Sequence, residues 1–414
     1  MAKKIIIAGG GTGGHIFPAI AIANALKKED NTITLLFVGA KGKMEMEKVP
    51  QAGYTIEGLD IAGFNRSSLI KNAGLPFKLL RSFLQVRKIV NRFEPDAVIG
   101  VGGYSSFPVL RYAQQKGIPT FIHEANSFAG KSNILLGRRA VKIFTGSNGM
   151  EKFFPPGKIR VTGNPVRDAI VNSRPGREEA IRFFGLDPQK KTILVTGGSL
   201  GARSINEAIA AHITEFEKNN LQLIWQTGRL FADEAKQLAQ GKDNIWTNDF
   251  ITGMENAFAA ADVVVSRSGA MSVAELCVTG QAVIFVPFPF AAEDHQTVNA
   301  IRLAEQQAAW IVKDSEVNSI LTARAIALAL NDTERQELKK NISRLAVTNA
   351  DEVIAKEVQP FETGTGDETH AELYAMKIPI RCRRKHNNEG ITKYKRGLFY
   401  WYWRNRHECT GKIF

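Results

Sequence analysis

The sequence predicts an α/β protein made of two similar halves. Short apolar runs alternate with longer segments of helical periodicity, which is the pattern of a parallel sheet covered by helices. One unit, in which an apolar run is followed by a glycine-rich turn and then a helix, occurs near the N-terminus and again from residue 192. Two such units imply two similar domains that face each other across a cleft.

Composition, charge and cysteine use limit the possible classes of protein. The 414 residues suggest two or three domains, and 44% of them are hydrophobic, which is ordinary for a soluble globular chain. The sequence has no run of about 20 apolar residues, no secretory signal, and no metal or disulfide spacing among its three cysteines. We therefore expect a cytoplasmic protein. Its net charge of +13 favours an acidic partner such as phosphate or an anionic membrane, and the lack of an aromatic RNA-binding signature disfavours nucleic acid.

The opening unit has the features of an anion site. Residues 5–8 are predicted to form a buried strand and residues 19–26 a helix, and between them lies GGGTGGHIFP, residues 9–18. Free backbone N–H groups at such a turn point outward and attract anions. The turn formally matches the dinucleotide pattern G-x-G-x-x-G, but no acidic residue lies between Asp30 and Glu45, where that fold holds a ribose. The sequence therefore disfavours a nicotinamide dinucleotide.

The later elements are assigned from their apolar runs and from the loops that end them. Strands are predicted at residues 32–38, 96–100, 120–123, 141–145, 192–196, 223–225, 263–265 and 282–286. Residues 161–167 are predicted to form a linker between the halves, and helices close the core near Val358. Ligands of open α/β sheets bind beyond the carboxyl ends of the strands, so functional residues are expected in the loops there. Those loops are residues 100–106, 123–127, 197–203, 266–275 and 287–296.

A basic amphipathic segment, residues 67–93, lies within the first half. Its apolar and basic side chains are interleaved, and no acidic residue lies between Asp60 and Glu94. Such a pattern is typical of helices that bind anionic bilayers. The alternative is a helix with one face in the core and a solvated basic face. The residues expected to form a membrane patch are Leu75, Phe77, Lys78, Leu80, Arg81 and Phe83.

The loops, taken together, resemble those of the MurG family of glycosyltransferases. The matching motifs, in order, are GGGTGGHIFP, GVGGYSS, HEAN, GNPVR, GGSLGAR, SRSGAMSVAE and EDHQTVNA, between residue 3 and about residue 358. The resemblance implies a GT-B fold, in which two Rossmann-like domains face each other across the active-site cleft. It implies an acceptor- and membrane-facing domain at residues 1–160, a UDP-sugar-binding domain at 161–340, and a helix at 341–358 that crosses back to the first domain.

The resemblance also implies a reaction and a location. The family transfers N-acetylglucosamine from UDP-N-acetylglucosamine to the C4 hydroxyl of the muramyl sugar of lipid I, with inversion, and gives lipid II for peptidoglycan. The enzyme is expected to be peripheral, on the cytoplasmic face of the bacterial inner membrane. The alternatives are a UDP-sugar 2-epimerase, a glycolipid synthase with a diacylglycerol acceptor, and a catalytically silent partner that binds a nucleotide sugar.

Particular residues acquire roles from this resemblance. Glu275 is expected to accept the ribose hydroxyls, Ile251 to face the uracil, Ser199 to hold the diphosphate, Arg167 to position the donor and Gln296 to contact the sugar hydroxyls. The complete expected donor set is Thr12, Gly13, Gly14, Asn126, Arg167, Ser199, Ile251, Ala270, Met271, Ser272, Val273, Ala274, Glu275 and Gln296. The expected acceptor loop is Gly102, Gly103, Tyr104 and Ser105.

His15 is the expected general base of the reaction. Its unperturbed pKa of about 6.5 lies near the operating pH, as a base requires. The alternatives are that His15 caps the helix or binds phosphate, and that Glu124 is the base. Neither glycine loop contains an Asp-x-Asp pair, so we expect no obligatory metal and no cofactor. Phe290 and Ala125 depart from the family pattern, and Phe290 is expected to alter one donor contact.

The composition changes abruptly after Val358, where residues 359–414 contain two of the three cysteines and a basic, aromatic mixture. This tail can be interpreted as a membrane or nucleic-acid arm. We prefer to interpret it as an out-of-frame product, because residues 399–414, back-translated and shifted by one base, permit FIGIGGIGMSALARY. That string resembles the nucleotide loop of UDP-N-acetylmuramate–alanine ligase, and the two Trp-x pairs force glycine codons at the right spacing. A tail of this origin is expected to be poorly ordered.

A chain that ends at Val358 should therefore keep full stability and full transferase activity, because an unselected tail contributes no buried surface. Urea unfolding and a turnover assay on the full-length and shortened chains measure this. Lost activity, or genomic sequence without an overlapping ligase frame, would favour the aromatic and basic arm.

Overall fold

Two parallel β-sheets organise the chain in this computed structural model, which describes residues 2–61, 75–173, 175–291 and 294–359. The described residues belong to one compact unit. Residues 67–74 of the predicted membrane segment and residues 360–414 of the predicted tail lie outside them. Among the described residues, no helix is both long enough and apolar enough to cross a membrane.

Within the described residues, the first sheet has seven parallel strands in the order β3-β2-β1-β4-β5-β6-β7. The strands are β1 (Lys4–Gly9), β2 (Thr34–Ala40), β3 (Ile56–Leu59), β4 (Ala97–Gly102), β5 (Thr120–Glu124), β6 (Lys142–Thr145) and β7 (Ile159–Val161). The helices between them are α1 (Gly13–Glu29), α2 (Glu45–Gln51), α3 (Leu75–Phe93), α4 (Ser106–Gln115) and α5 (Lys131–Gly137).

The second sheet has six parallel strands in the part of the chain that the structure describes, in the order β10-β9-β8-β11-β12-β13. The strands are β8 (Lys191–Thr196), β9 (Leu221–Gln226), β10 (Ile245–Asn248), β11 (Val263–Ser266), β12 (Val283–Phe285) and β13 (Trp310–Ile311). The helices are α6 (Asp168–Asn172), α7 (Arg177–Phe183), α8 (Arg203–Ala211), α9 (Thr214–Lys218), α10 (Ala232–Ala239), α11 (Met254–Ala260), α12 (Ala270–Thr279), α13 (His295–Ala304), α14 (Val317–Leu330), α15 (Asp332–Ser343) and α16 (Ala350–Val358).

Each sheet lies between two apolar clusters because its central strands are apolar on both faces. Along β1, Ile5 and Ile7 face one cluster, and Ile6 and Ala8 face the other. Side chains alternate across a strand, so a strand without polar residues requires helices on both sides. This is the architecture that the alternating pattern predicts.

The last helix, α16, returns to the first half of the chain. Its residues Ile354, Ala355 and Val358 are buried in the same cluster as Ile5 and Ile16. The preceding helix, α15, packs in the second half through buried side chains that include Leu338 and Ile342. The crossing segment is therefore α16, and it secures the end of the second half to the helix that follows the first glycine turn.

The structure corrects some of the predicted element bounds. Helix α1 begins at Gly13, not at residue 19, because Pro18 removes only one hydrogen bond, to the carbonyl of Gly14, and the first turn forms without it. Val161, predicted in the linker, ends the edge strand β7. The edge strands β3, β7, β10 and β13 were not predicted, because each has only two to four residues, too few to show a strand pattern in the sequence.

The topology brings the glycine loops to equivalent places in the two sheets. The strand order reverses between β1 and β4 and again between β8 and β11. At such a switch point the loops diverge and leave a crevice outside the carboxyl ends of the strands. Each half therefore places its glycine turn at a crevice.

Candidate active site

A cavity of about 800 Å³ lies between the two halves, at the carboxyl ends of their strands. The first half contributes the start of α1 and the loop after β5, and the second contributes the loops after β8, β11 and β12. Most of the expected site residues line it. They are Thr12, Gly13, Gly14, His15, Asn126, Arg167, Ser199, Ala270, Met271, Ser272, Glu275 and Gln296.

Three residues of the expected donor set do not line this cavity. The side chain of Ile251 is buried in the second-half core, and its amide donates to Gln226 Oε1 at 3.0 Å, while the neighbouring Phe250 lines the cavity. Val273 and Ala274 line a separate cavity of about 480 Å³. Consecutive helical residues point in different directions, so a run of neighbours on α12 cannot all face one site.

The expected acceptor loop packs against the first glycine loop. The amide of Gly10 donates to the carbonyl of Gly102 at 3.3 Å. A methyl group on Gly102 would lie 2.7 Å from the His15 ring, and one on Gly103 would lie 2.2 Å from the Gly10 carbonyl oxygen. Both glycines have positive φ, so only glycine fits this approach. Tyr104 is exposed at the end of this loop.

The His15 ring is held in one tautomer. Its Nδ1 lies 3.1 Å from the carbonyl oxygen of Gly10, which can only accept, so Nδ1 carries the hydrogen and Nε2 keeps its lone pair. Burial lowers the pKa of His15 below its usual 6.5, and the negative charge of Glu124 partly opposes this. The ring is therefore neutral at pH 7 and can accept a proton at Nε2.

Glu124 anchors the loop that follows β5. Its Oε2 accepts from the amide of Gly130 at 3.0 Å and from Asn133 Nδ2 at 2.8 Å, and its Oε1 accepts from the amide of Asn126 at 3.1 Å. These donors engage both oxygens of the carboxylate, and Glu124 is not among the residues that line the cavity. This geometry supports Glu124 as the residue that orients the loop. Burial lowers the pKa of the adjacent His123 to about 4, so that ring is neutral as well.

Arg167 and Glu275 form a two-point ion pair beside the cavity. Arg167 Nε lies 2.8 Å from Glu275 Oε1, and Nη2 lies 3.0 Å from Oε2. The guanidinium also lies over the Phe17 ring, 4.5 Å from its centroid. Each Glu275 oxygen retains a second lone pair, so the carboxylate can still accept from a diol. Arg167 thus orients Glu275 and links it to the first half.

Sequence reasoning did not select Arg267, which also lines the cavity. Its Nη1 lies 2.6 Å from Asp314 Oδ1, and its Nη2 donates to Ser204 Oγ at 2.9 Å. Its guanidinium lies 5.4 Å from the centroid of the Phe288 ring, so Phe288 covers it. Its position could have identified it from the sequence, because it is the cation in the loop after β11, at the second switch point. In the described part of the chain, no group of three or more His, Cys, Asp or Glu could hold a metal ion.

Comparison with known families assigns the chain. A model described as the glycosyltransferase family 28 N-terminal domain matches residues 5–145, and the corresponding C-terminal domain model matches residues 192–358. The chain belongs to glycosyltransferase family 28. The expected glycosyltransferase class is therefore confirmed.

Curated relatives of this family 28 chain align along most of its length. A protein of Phocaeicola vulgatus is 49% identical over 358 residues, which are 86% of this chain and 95% of the relative. A protein of Flavobacterium psychrophilum is 50% identical over 356 residues, 86% of this chain and 96% of the relative. Both are called UDP-N-acetylglucosamine–N-acetylmuramyl-(pentapeptide) pyrophosphoryl-undecaprenol N-acetylglucosamine transferase, so the resemblance to MurG is confirmed.

Solved structures agree with the family 28 fold. The crystal structure of MurG from Acinetobacter baumannii superposes with a TM-score of 0.64 at 28% identity, and covers 87% of this chain and 100% of that one. A UDP co-structure of MnaA from S. aureus gives 0.62 at 16% identity, with 86% and 96% covered, and shows the fold alone. The expected fold of two Rossmann-like domains is confirmed.

Proposed function

We propose that this chain transfers N-acetylglucosamine from UDP-N-acetylglucosamine to the C4 hydroxyl of the muramyl sugar of lipid I and gives lipid II. One observation carries the proposal: a single cavity combines the second half's glycine loop and Glu275 with a neutral histidine from the first half. The names of the curated relatives support the same reaction.

The second half is suited to hold the donor. The turn that follows β8 presents backbone N–H groups near Ser199, and a diphosphate binds well to such groups. Glu275 accepts the ribose hydroxyls while Arg167 orients it. Gln296 faces the sugar, and its position is set because its Oε1 accepts from the amide of Phe288 at 3.0 Å and its carbonyl accepts from Ser268 Oγ at 2.8 Å.

The first half is suited to activate the acceptor. The acceptor oxygen attacks C1 of N-acetylglucosamine from the face opposite the diphosphate, so the C1 configuration inverts. The new C–O bond forms as the C1–O bond to phosphate breaks, and its electron pair leaves with UDP. The hydroxyl proton passes to Nε2 of His15, and the charge on the leaving diphosphate is stabilised by loop amides and Arg267.

Helix α3 supplies a surface suited to a lipid-linked acceptor. Phe77, Leu80 and Leu84 are 78%, 63% and 60% exposed. Lys78 and Arg81 are exposed beside them, and Arg81 also pairs with Asp60 at 3.2 Å. An exposed apolar face among cations fits an anionic bilayer. The same helix buries Val86, Ile89 and Val90, so both interpretations of the segment describe part of it.

This surface favours a peripheral position on the cytoplasmic face of the inner membrane. Of the expected membrane patch, Phe83 is half-buried, and nothing is described of the Leu75 side chain. A UDP-sugar 2-epimerase acts on a soluble sugar nucleotide and has no use for the exposed apolar face.

A direct assay tests the function. The enzyme is incubated with labelled UDP-N-acetylglucosamine and a short-chain lipid I analogue, and a disaccharide lipid is the expected product. Parallel reactions contain diacylglycerol or no acceptor. Transfer to diacylglycerol, epimerised sugar nucleotide, or no product with lipid I would contradict the proposal.

Replacement of Glu275 tests the ribose contact. The change Glu275→Ala should weaken UDP binding by about 1.5–3 kcal/mol, since a hydrogen bond to a charged group is lost. Calorimetry with UDP measures the loss. The matched control is Glu178→Ala, which removes an exposed acid that pairs with Arg182. Equal UDP affinity in the two variants would refute the assignment.

Replacement of His15 tests the base. The change His15→Ala should lower kcat roughly 10²–10⁴-fold, the usual contribution of a general base, and leave UDP binding unchanged. Because burial lowers the pKa of His15 below 6.5 and the neutral ring is the active form, wild-type kcat should fall only as the pH drops below 6.5. His212→Ala, at an exposed histidine, is the control. A loss confined to donor affinity would make His15 a phosphate ligand.

Replacement of exposed α3 residues tests the membrane surface. Phe77, Leu80 and Leu84 changed together to serine should abolish sedimentation with anionic vesicles, because the apolar area that enters the bilayer is removed. Activity on a water-soluble acceptor should persist. Leu135 and Leu330 changed to serine are the control, since both are exposed elsewhere. Unchanged sedimentation of the α3 variant would exclude this surface.

A further inference from the structure

A buried carboxylate lies against the first glycine loop. Glu45, at the start of α2, is only 1% exposed although it is an acidic residue. Its Oε2 accepts the amide hydrogen of Gly11 at 2.8 Å, and its Oε1 accepts that of Ala40 at 2.9 Å. A buried carboxylate is stable only where such hydrogen bonds replace its hydration.

The backbone around Glu45 leaves room for its side chain because the neighbouring residues are glycines. A methyl group on Gly10 would lie 2.3 Å from Glu45 Oε1, and one on Gly39 would lie 2.5 Å from its Cγ. These contacts are too short for any side chain, so both positions must be glycine while Glu45 occupies this place. The carboxylate is therefore a built part of the loop.

The second glycine loop differs in this respect. Its turn between Gly197 and Ala202 faces the cavity. The amide of Gly198 is held by the Thr196 hydroxyl at 3.3 Å, and that of Gly201 by the Gly198 carbonyl at 3.1 Å. No carboxylate among the described residues accepts from these amides. The two equivalent turns therefore differ. The first donates an amide hydrogen to the Glu45 carboxylate of the protein itself, whereas the second faces the cavity, where a phosphate can bind.

One peptide group links Glu45 to His15. The peptide between Gly10 and Gly11 donates its N–H to Glu45, and its carbonyl oxygen accepts from His15 Nδ1. Glu45 therefore sets the plane of the peptide that sets the tautomer of His15. Hydrogen bonds arranged in such a chain polarise one another, so the carboxylate also strengthens the bond that His15 Nδ1 donates to the Gly10 carbonyl.

We propose that Glu45 is a positioning residue for His15, acting through the peptide between Gly10 and Gly11. This inference rests on the proposed function for its kinetic consequences, whereas the link between the two side chains stands on geometry. The ionisable groups that face His15 are Glu45 from α2 and Glu124 and His123 from β5. The negative charges of Glu45 and Glu124 both favour the imidazolium form of His15. Of the two, Glu45 is the one that also holds the first glycine loop in place.

The experiment compares Glu45→Gln with wild type. A glutamine has one acceptor oxygen and turns an NH2 group toward the second backbone donor, so the loop shifts and the charge is lost. We expect kcat to fall roughly 10- to 100-fold, as for a small misplacement of a catalytic group, with UDP affinity unchanged. We also expect the acid limb of the kcat profile, and the NMR titration of His15, to move to lower pH.

Two further variants sharpen this comparison. Glu47→Gln removes an acid from the same helix, 59% exposed and paired with Lys48, and should behave as wild type. Glu45→Asp keeps the charge but shortens the side chain, so it should lower kcat with a smaller shift of the acid limb.

The outcomes separate this inference from the proposed function. A wild-type enzyme that makes no disaccharide lipid would overturn the function, while the NMR titration would still measure the link between Glu45 and His15. An active Glu45→Gln variant with wild-type kcat and an unmoved titration would overturn the positioning role. Failure of both Glu45 variants to fold, judged by thermal unfolding, would also overturn it, because Glu45 would then serve the fold and not the base.

Discussion

The close approach of two backbone segments, after β1 and after β4, is the constraint on which the first half of the site depends. The amide of Gly10 bonds to the carbonyl of Gly102, and Gly103 leaves no room for a Cβ atom beside the Gly10 carbonyl. Adjacent parallel strands that end at a switch point bring these segments together. His15 then lies against Gly102, and the absence of side chains on Gly10 and Gly39 leaves room for the Glu45 carboxylate.

The same supersecondary unit has become two different sites. In the first half, the turn donates a hydrogen bond to the buried Glu45 carboxylate and accepts one from His15. In the second half, the turn borders the cavity, with Arg267 held beside it by Asp314 and Ser204. In the reaction proposed above, the base and the groups that stabilise the leaving diphosphate would therefore come from two separate turns of the same type.

Contacts between the two halves of the chain hold them in a fixed position relative to each other. Ser127 donates to Asn299 Oδ1 at 2.8 Å, and Asn164 Nδ2 in the linker donates to the Ala125 carbonyl of the first half at 3.2 Å and to the Ala270 carbonyl of the second at 3.4 Å. Helix α16 adds the buried side chains of Ile354 and Val358 to the first core. Buried hydrogen bonds are directional and apolar packing is not, so together they define the cavity's shape without a continuous core between the sheets.

The sequence by itself determined the two-half α/β architecture, the central strands and the family, because apolar runs, glycine turns and motif order are local signals. It also located most of the residues that line the cavity, since loops beyond parallel strands must converge. It did not reveal the edge strands, which are too short to show a pattern, nor that Ile251 is a core residue and that Val273 lines another cavity.

Tertiary structure alone decided which side chains meet. Glu45 contacts Gly11 across 34 positions and Arg167 contacts Glu275 across 108, and no spacing rule connects residues so far apart. Whether a carboxylate in this fold binds substrate, anchors a loop or orients a base depends on the donors around it. Those donors are fixed only when the strand order has brought distant loops to one edge of a sheet.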